Sequence, residues 1–220
     1  MLAGADGDKD QSYFLWTLNQ KQLSKTLFPV GKYKKDQVRM LAEKFGLPTA
    51  QKKDSQGLCF VGKLDMKDFL AHFIEEKEGM VLNEKGETIG SHRGAYFYTL
   101  GERHGFTITK KGIDESAYYV ASKDILENTI TVAHGDISST IGARRHIELV
   151  EINFCNGTRP DSTKTYDAQI RYHGERLECK VMSISQSTLT LSFKKNIVVA
   201  SGQSIVLYLG SECIGGGVVA

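Results

Sequence analysis

The sequence predicts a multidomain, β-rich α+β fold, and three observations carry that prediction. Helical spacing of apolar residues is confined to residues 11–45 and 65–74. After Gly79 the chain breaks into short segments rich in β-branched and aromatic residues, separated by turn formers. Over residues 144–220 the apolar positions alternate with period two across several turns, the pattern of a small closed or nearly closed antiparallel β-barrel.

In chain order, residues 11–18 offer a short apolar helical face in Phe14, Leu15 and Leu18. Asn19, with Gln22 three positions on, reads as a capping box opening a helix through Leu23 and Leu27, which Pro29 and Gly31 end. Val38, Leu41, Ala42 and Phe45 recur at i, i+3, i+4 and i+7, with Gly46 in the C-cap position and Pro48 beyond it. Asp65 is the expected N-cap of a further helix whose stripe is Phe69, Leu70, Phe73 and Ile74. MVL and ETIG flank the turn NEKG, and AYYVASKD and NTITVAHG read as two more strands. In the last segment the alternating positions are Ala168, Ile170 and Tyr172, then Leu177, Cys179 and Val181 beyond the turn at Gly174, then Leu189, Leu191 and Phe193.

The 220 residues, 40% of them hydrophobic, can bury more than one small core, and no apolar run is long enough to span a membrane. Net charge is +2, but it is unevenly placed. Residues 1–62 hold 10 cationic against 6 anionic side chains, 63–143 hold 9 against 13, and 144–220 hold 9 against 7. The basic ends suit contact with phosphate. Four cysteines, at 59, 155, 179 and 213, are widely and irregularly spaced, which argues against a zinc site or a disulfide scaffold and for a reducing, cytoplasmic setting.

The block KKDSQGLCFVG, residues 52–62, sets Cys59 between apolar neighbours and bounds it with Gly57 and Gly62. Two readings stand side by side. A free cysteine in an apolar run is commonly a packed core residue. The cations Lys52 and Lys53 just upstream favour a thiolate, the form that acts as nucleophile or sulfur carrier. No G-x-x-x-x-G-K-[ST] loop, G-x-G-x-x-G after a strand, or H-E-x-x-H occurs, so no nucleotide or metalloprotease site can be placed by motif.

That cysteine block resembles the second active-site cysteine motif of the tRNA-specific 2-thiouridylases, the MnmA family. The similarity extends to GDKDQSYFLWTL (7–18), LFPVGKYKKDQVRMLAEKFGLPTAQKKDS (27–55), YTLGERHGF (98–106), YYVASKD (118–124), IRYHG (170–174), SGQSIVLY (201–208) and GGGVV (215–219). It covers nearly the whole chain. The resemblance implies three parts: 1–62, the helical C-terminal end of an α/β catalytic domain with the persulfide cysteine loop; 63–143, a small central α+β domain; and 144–220, a tRNA-binding barrel.

The family's chemistry activates the wobble uridine with ATP and Mg and then delivers sulfur from a cysteine persulfide. By resemblance Cys59 is the persulfide carrier, loaded by a sulfur-relay protein, and is expected to be mobile or exposed. The Ser-Gly-Gly loop and first catalytic cysteine of the family have no counterpart in these residues, so no cofactor is expected in this chain. Lys9, Asp10 and Gln11 match a KDQ element that touches the anticodon stem-loop region. Their plainer reading is a helix N-terminus capped by Asp10. Arg171, Tyr172 and Gln203 match RNA contacts on the barrel, although alternation also reads Tyr172 as a core-facing strand residue. Glu102 and His104 depart from the neutral and basic residues usual there, which weakens a phosphate contact at that loop. Two other functions remain open: a stand-alone RNA-binding or adaptor module with a silent Cys59, and a sulfurtransferase that only relays persulfide.

Overall fold

The computed structural model describes residues 1–53, 66–109, 117–134 and 143–220. They divide into two compact units. The first joins Met1–Lys53 to Arg145–Lys195 and Ser201–Ala220, so the N-terminal segment folds with the barrel. The second holds the described residues of 66–144 with Asn196–Ala200.

The barrel strands are β6 (Arg144–Phe154), β7 (Thr165–Gln169), β8 (Arg176–Ile184), β9 (Leu189–Ile197), β10 (Ser204–Leu209) and β11 (Glu212–Val219). They close in the order β10-β11-β6-β9-β8-β7, with β7 pairing back to β10. Closure removes the unpaired edges that an open sheet would present. Alternate residues fill the interior: Ile147, Leu149, Ala168, Leu189, Leu191, Ile205 and Leu207 are fully buried. β10 is unusual in being buried on both faces, since Val206 and Tyr208 on its outer row are also inaccessible. Trp16 is packed with Val206, Tyr208, Cys155 and Cys213, and Tyr13 and Leu23 add to this second core.

The 11–18 segment departs from the helical expectation. Only a 3-10 turn forms, over Ser12–Phe14, and the residue that enters the core is Trp16 while Phe14 is 53% exposed. Burial of the larger ring against the barrel overrides the weak helical spacing. The capping box does form: Asn19 Oδ1 accepts from Gln22 N at 3.0 Å and Gln22 Oε1 accepts from Asn19 N at 3.0 Å. It opens only one turn, α1 (Gln20–Leu23), and Leu27 lies beyond it, exposed.

Helix α2 (Lys35–Lys44) closes as expected, with Gly46 at φ +64°, Gly46 N donating to Glu43 O and Leu47 N to Ala42 O. Those two bonds make a Schellman motif. Its start is held from a distance, because Asp6 Oδ2 accepts from Lys35 N at 2.8 Å.

The second unit carries α3 (Met66–Ala71) and the strands β1 (Gly79–Leu82), β2 (Thr88–His92), β3 (Thr107–Ile108), β4 (Tyr118–Asp124) and β5 (Thr129–His134). They form one sheet in the order β3-β2-β1-β5-β4, antiparallel except where β1 meets β5. The expected NEKG turn joins β1 to β2, with Asn83 Oδ1 accepting from Lys85 N and Glu87 N. Val81, Ile89, Phe97, Tyr98, Val120, Ile130 and Val132 make the core, and Leu70 and Ile74 pack on it. Phe69 and Phe73, expected on the same stripe, are 42% and 74% exposed. Asp65, the expected N-cap, lies outside the described residues. Glu102 Oε2 accepts from Thr99 N at 3.0 Å, so its carboxylate holds its own loop, while His104 is exposed.

Candidate RNA interface

Residues 8–14 lie against the loop between β7 and β8 and against the start of β10. The entry of the segment is fixed by two backbone bonds, Ala3 N to Ser211 O at 2.7 Å and Cys213 N to Met1 O at 2.8 Å. Asp10 then ties the loop together. Its Oδ1 accepts from Gly4 N (2.9 Å) and Ser12 N (3.0 Å), its Oδ2 accepts from Ser12 Oγ (2.7 Å), and Arg176 Nη2 stands 3.7 Å from Oδ2. Charge-assisted bonds of this kind are the stronger ones, so Asp10 is a positioning residue with little acceptor capacity left. It precedes the 3-10 turn as a side-chain-bonded turn and caps no α-helix, which corrects the helix N-terminus reading.

Below it, Ser12 Oγ and Tyr208 OH are 3.0 Å apart, and the Arg176 guanidinium lies 3.6 Å from the Tyr208 ring centroid. Burial pushes the Tyr208 phenol up to about 12, so it remains a neutral partner for Ser12 at physiological pH.

The sequence-matched residues converge here. Gln11 Nε2 donates to Tyr172 OH at 2.5 Å, across 161 positions of sequence. Arg171 is exposed beside Tyr172 and acts on Tyr13, whose phenol is raised by burial and partly lowered by that guanidinium. Gln203 immediately precedes Ser204, whose carbonyl accepts from Tyr13 OH at 2.9 Å. Lys9 is exposed on the same loop. Tyr172 is not a strand residue: β7 ends at Gln169, so Ile170 and Tyr172 leave the alternation. The tight Arg171–Gly174 turn, with His173 at φ +58°, lifts the tyrosine onto the rim, half-buried.

The sequence reading missed the aromatic set that completes this rim. Phe14 and Tyr172 have centroids 4.7 Å apart, Tyr13 and Phe14 meet edge-on at 5.3 Å, and Tyr172 and His173 are stacked at 4.0 Å with 29° between planes. Exposed aromatic faces beside Arg171 are the combination that holds unstacked bases and backbone phosphate. No local signal marks Phe14, His173 or Arg176, because their partners are distant in sequence.

Cys59 lies outside the described residues. The other three thiols are buried. Burial pushes Cys179 up to about 12. Cys155 and Cys213 are hydrogen-bonded to each other; that bond lowers Cys155 and, together with burial, raises Cys213, while exposures of 0% and 1% shut both from solvent. Brief alkylation at neutral pH, mapped by mass spectrometry, is expected to modify Cys59 well before these three. Equal labelling of Cys179 would count against a special role for Cys59.

Comparison with known proteins agrees in order and extent. Three consecutive family profiles match: a tRNA methyl transferase HUP domain over residues 1–63, a tRNA methyl transferase PRC-barrel domain over 67–134, and an aminomethyltransferase beta-barrel domain over 144–219. The whole chain aligns with the tRNA-specific 2-thiouridylases MnmA of Actinobacillus succinogenes (40% identity), Mannheimia succiniciproducens (41%) and Thiobacillus denitrificans (38%). The chain belongs to the MnmA family. It spans 57% of the length of the first two relatives and 62% of the third.

Proposed function

We propose that this chain is the tRNA-holding and sulfur-carrying part of a tRNA-uridine 2-sulfurtransferase. The observation that supports it best is the convergence of Gln11, Arg171, Tyr172 and Gln203, from three separate stretches of sequence, on one rim of the barrel unit. The anticodon stem-loop region of tRNA is the partner this rim suits: Arg171 and Lys9 meet phosphate, and Phe14 and Tyr172 offer ring faces to bases. Cys59 is the persulfide carrier in this reading, charged by a sulfur-relay protein in a cytoplasmic setting. Activation of the uridine by ATP and Mg belongs to sequence beyond these 220 residues, because the Ser-Gly-Gly loop is not among them.

Filter binding of tRNA across salt concentrations tests the rim. Arg171→Ala is expected to weaken binding and to reduce the slope of log affinity against log salt by about 0.7 to 0.9, the value for one phosphate contact. His104→Ala is expected to change little. A larger loss from His104→Ala than from Arg171→Ala would move the RNA platform off the barrel.

A further inference from the structure

A cleft of about 650 Å³ opens beside the rim, lined by the loop of residues 3–10, the β7–β8 hairpin and the turn at Gly210 and Ser211. We infer that this cleft takes one unstacked nucleobase of the bound RNA, with Gln169 reading the base's hydrogen-bonding edge. The inference rests on the RNA-binding reading above and adds to it a base-specific site.

Gln169 carries the argument. It is the last residue of β7, opposite Arg176 on β8 and Val206 on β10, and it is only 9% exposed. Its side-chain amide has no hydrogen-bond partner among the described residues, and it lines the cleft. The amide atoms are not sealed in, since His92 Nε2 is the one buried side-chain nitrogen or oxygen without a partner among the described residues, and they face the cleft. With no bond spent inside the protein, the donor and the acceptor are both open to a ligand in the cleft.

The charges around it select the class of ligand. Asp8 and Asp10 face the cleft against Arg176 alone. Arg176 is already engaged by the Tyr208 ring, by Asp10 and by Gly210 O at 3.3 Å. A phosphate would meet net negative charge and no free guanidinium, whereas a neutral planar base would meet no such penalty. The stacking surface is in place as well, because Tyr172 and His173 line the cleft as a stacked pair, and His173 Nε2 is held 3.0 Å from Asp8 O. A carboxamide offers one donor and one acceptor side by side, the complement of an adenine edge. Arg171, one residue from the pair, is placed to take the flanking phosphate.

The test uses the 220-residue chain and an anticodon stem-loop hairpin in which each loop nucleotide in turn is made abasic. For the parent chain, one abasic position is expected to cost about tenfold in affinity, roughly 1.4 kcal/mol. In Gln169→Leu the intact hairpin should bind about tenfold more weakly with an unchanged salt slope, and that abasic position should cost nothing further. Gln169→Leu should melt close to the parent temperature, since the amide makes no bond within the protein, and Gln169→Glu provides a second variant of the same shape that lacks the donor. If every abasic position is neutral, or if Gln169→Leu binds like the parent while Arg171→Ala does not, the base site is wrong and the RNA rim stands. A clear fall in melting temperature for Gln169→Leu would make the residue structural and overturn the inference. If the parent chain does not bind the hairpin at all, the RNA reading fails with it.

Discussion

Trp16→Ala should destabilise the barrel unit by about 3–5 kcal/mol, the range for truncating a buried aromatic residue. The indole is 5% exposed and packs on Val206, Tyr208, Cys155 and Cys213, and the Trp16 carbonyl accepts from Asn153 Nδ2 at 2.7 Å. It is the apolar anchor that holds the N-terminal segment on the outer face of β10. Loosening it releases Asp10 and Gln11 from their places, so tRNA affinity should fall with stability, although Trp16 itself is buried. Phe14→Ala, two residues away and half-exposed, should cost less than about 1 kcal/mol in stability and act mainly on RNA binding. Urea unfolding of both variants, followed by filter binding, separates the two roles. A Trp16→Ala chain as stable as the parent would mean that the segment is held by its hydrogen bonds alone.

Gly215→Ala is expected to be at least as damaging. Gly215 sits on β11 at φ +137°, opposite Phe154 of β6, and a Cβ built there would lie 2.1 Å from the carbonyl oxygen of Asn153 and 2.7 Å from Cα of Phe154. Both obstacles are backbone, so no side chain can swing away. The pairing of β6 with β11 must open, and the barrel loses closure. Gly46→Ala is the control: it also has positive φ, at +64°, but nothing lies within 4 Å of its Cβ position. Its cost should be about 1–2 kcal/mol, that of the left-handed conformation alone. Thermal melts of the two variants should differ widely. Similar melting temperatures would show that the strands separate at little cost.

The distinction between Gly215 and Gly46 also marks where reading the sequence stops. Gly46 was legible, because a glycine after a 3.6-residue apolar repeat and before a proline is a local signature of helix termination. The Asn19–Gln22 capping box and the Asn83 turn were legible for the same reason, since each is a bond between residues a few positions apart. The barrel followed from alternation, which depends only on a strand having two faces.

Local pattern is enough for the order of elements, the β-rich class and the barrel, and the motif blocks are enough for the likeness to the MnmA family. Tertiary structure alone decided that Trp16 rather than Phe14 enters the core, that β10 is buried on both faces, that Tyr172 sits on a turn, and that Asp10 is engaged by Ser12 and Arg176. It also placed Gln169, a polar residue at the end of a strand, in the wall of a cleft. The physical reason is the range of the interactions. Periodicity and capping are set by neighbours within one or two turns, whereas burial, ring stacking and a bond such as Gln11 to Tyr172 depend on surfaces that meet only after the barrel has closed and the N-terminal segment has packed against it.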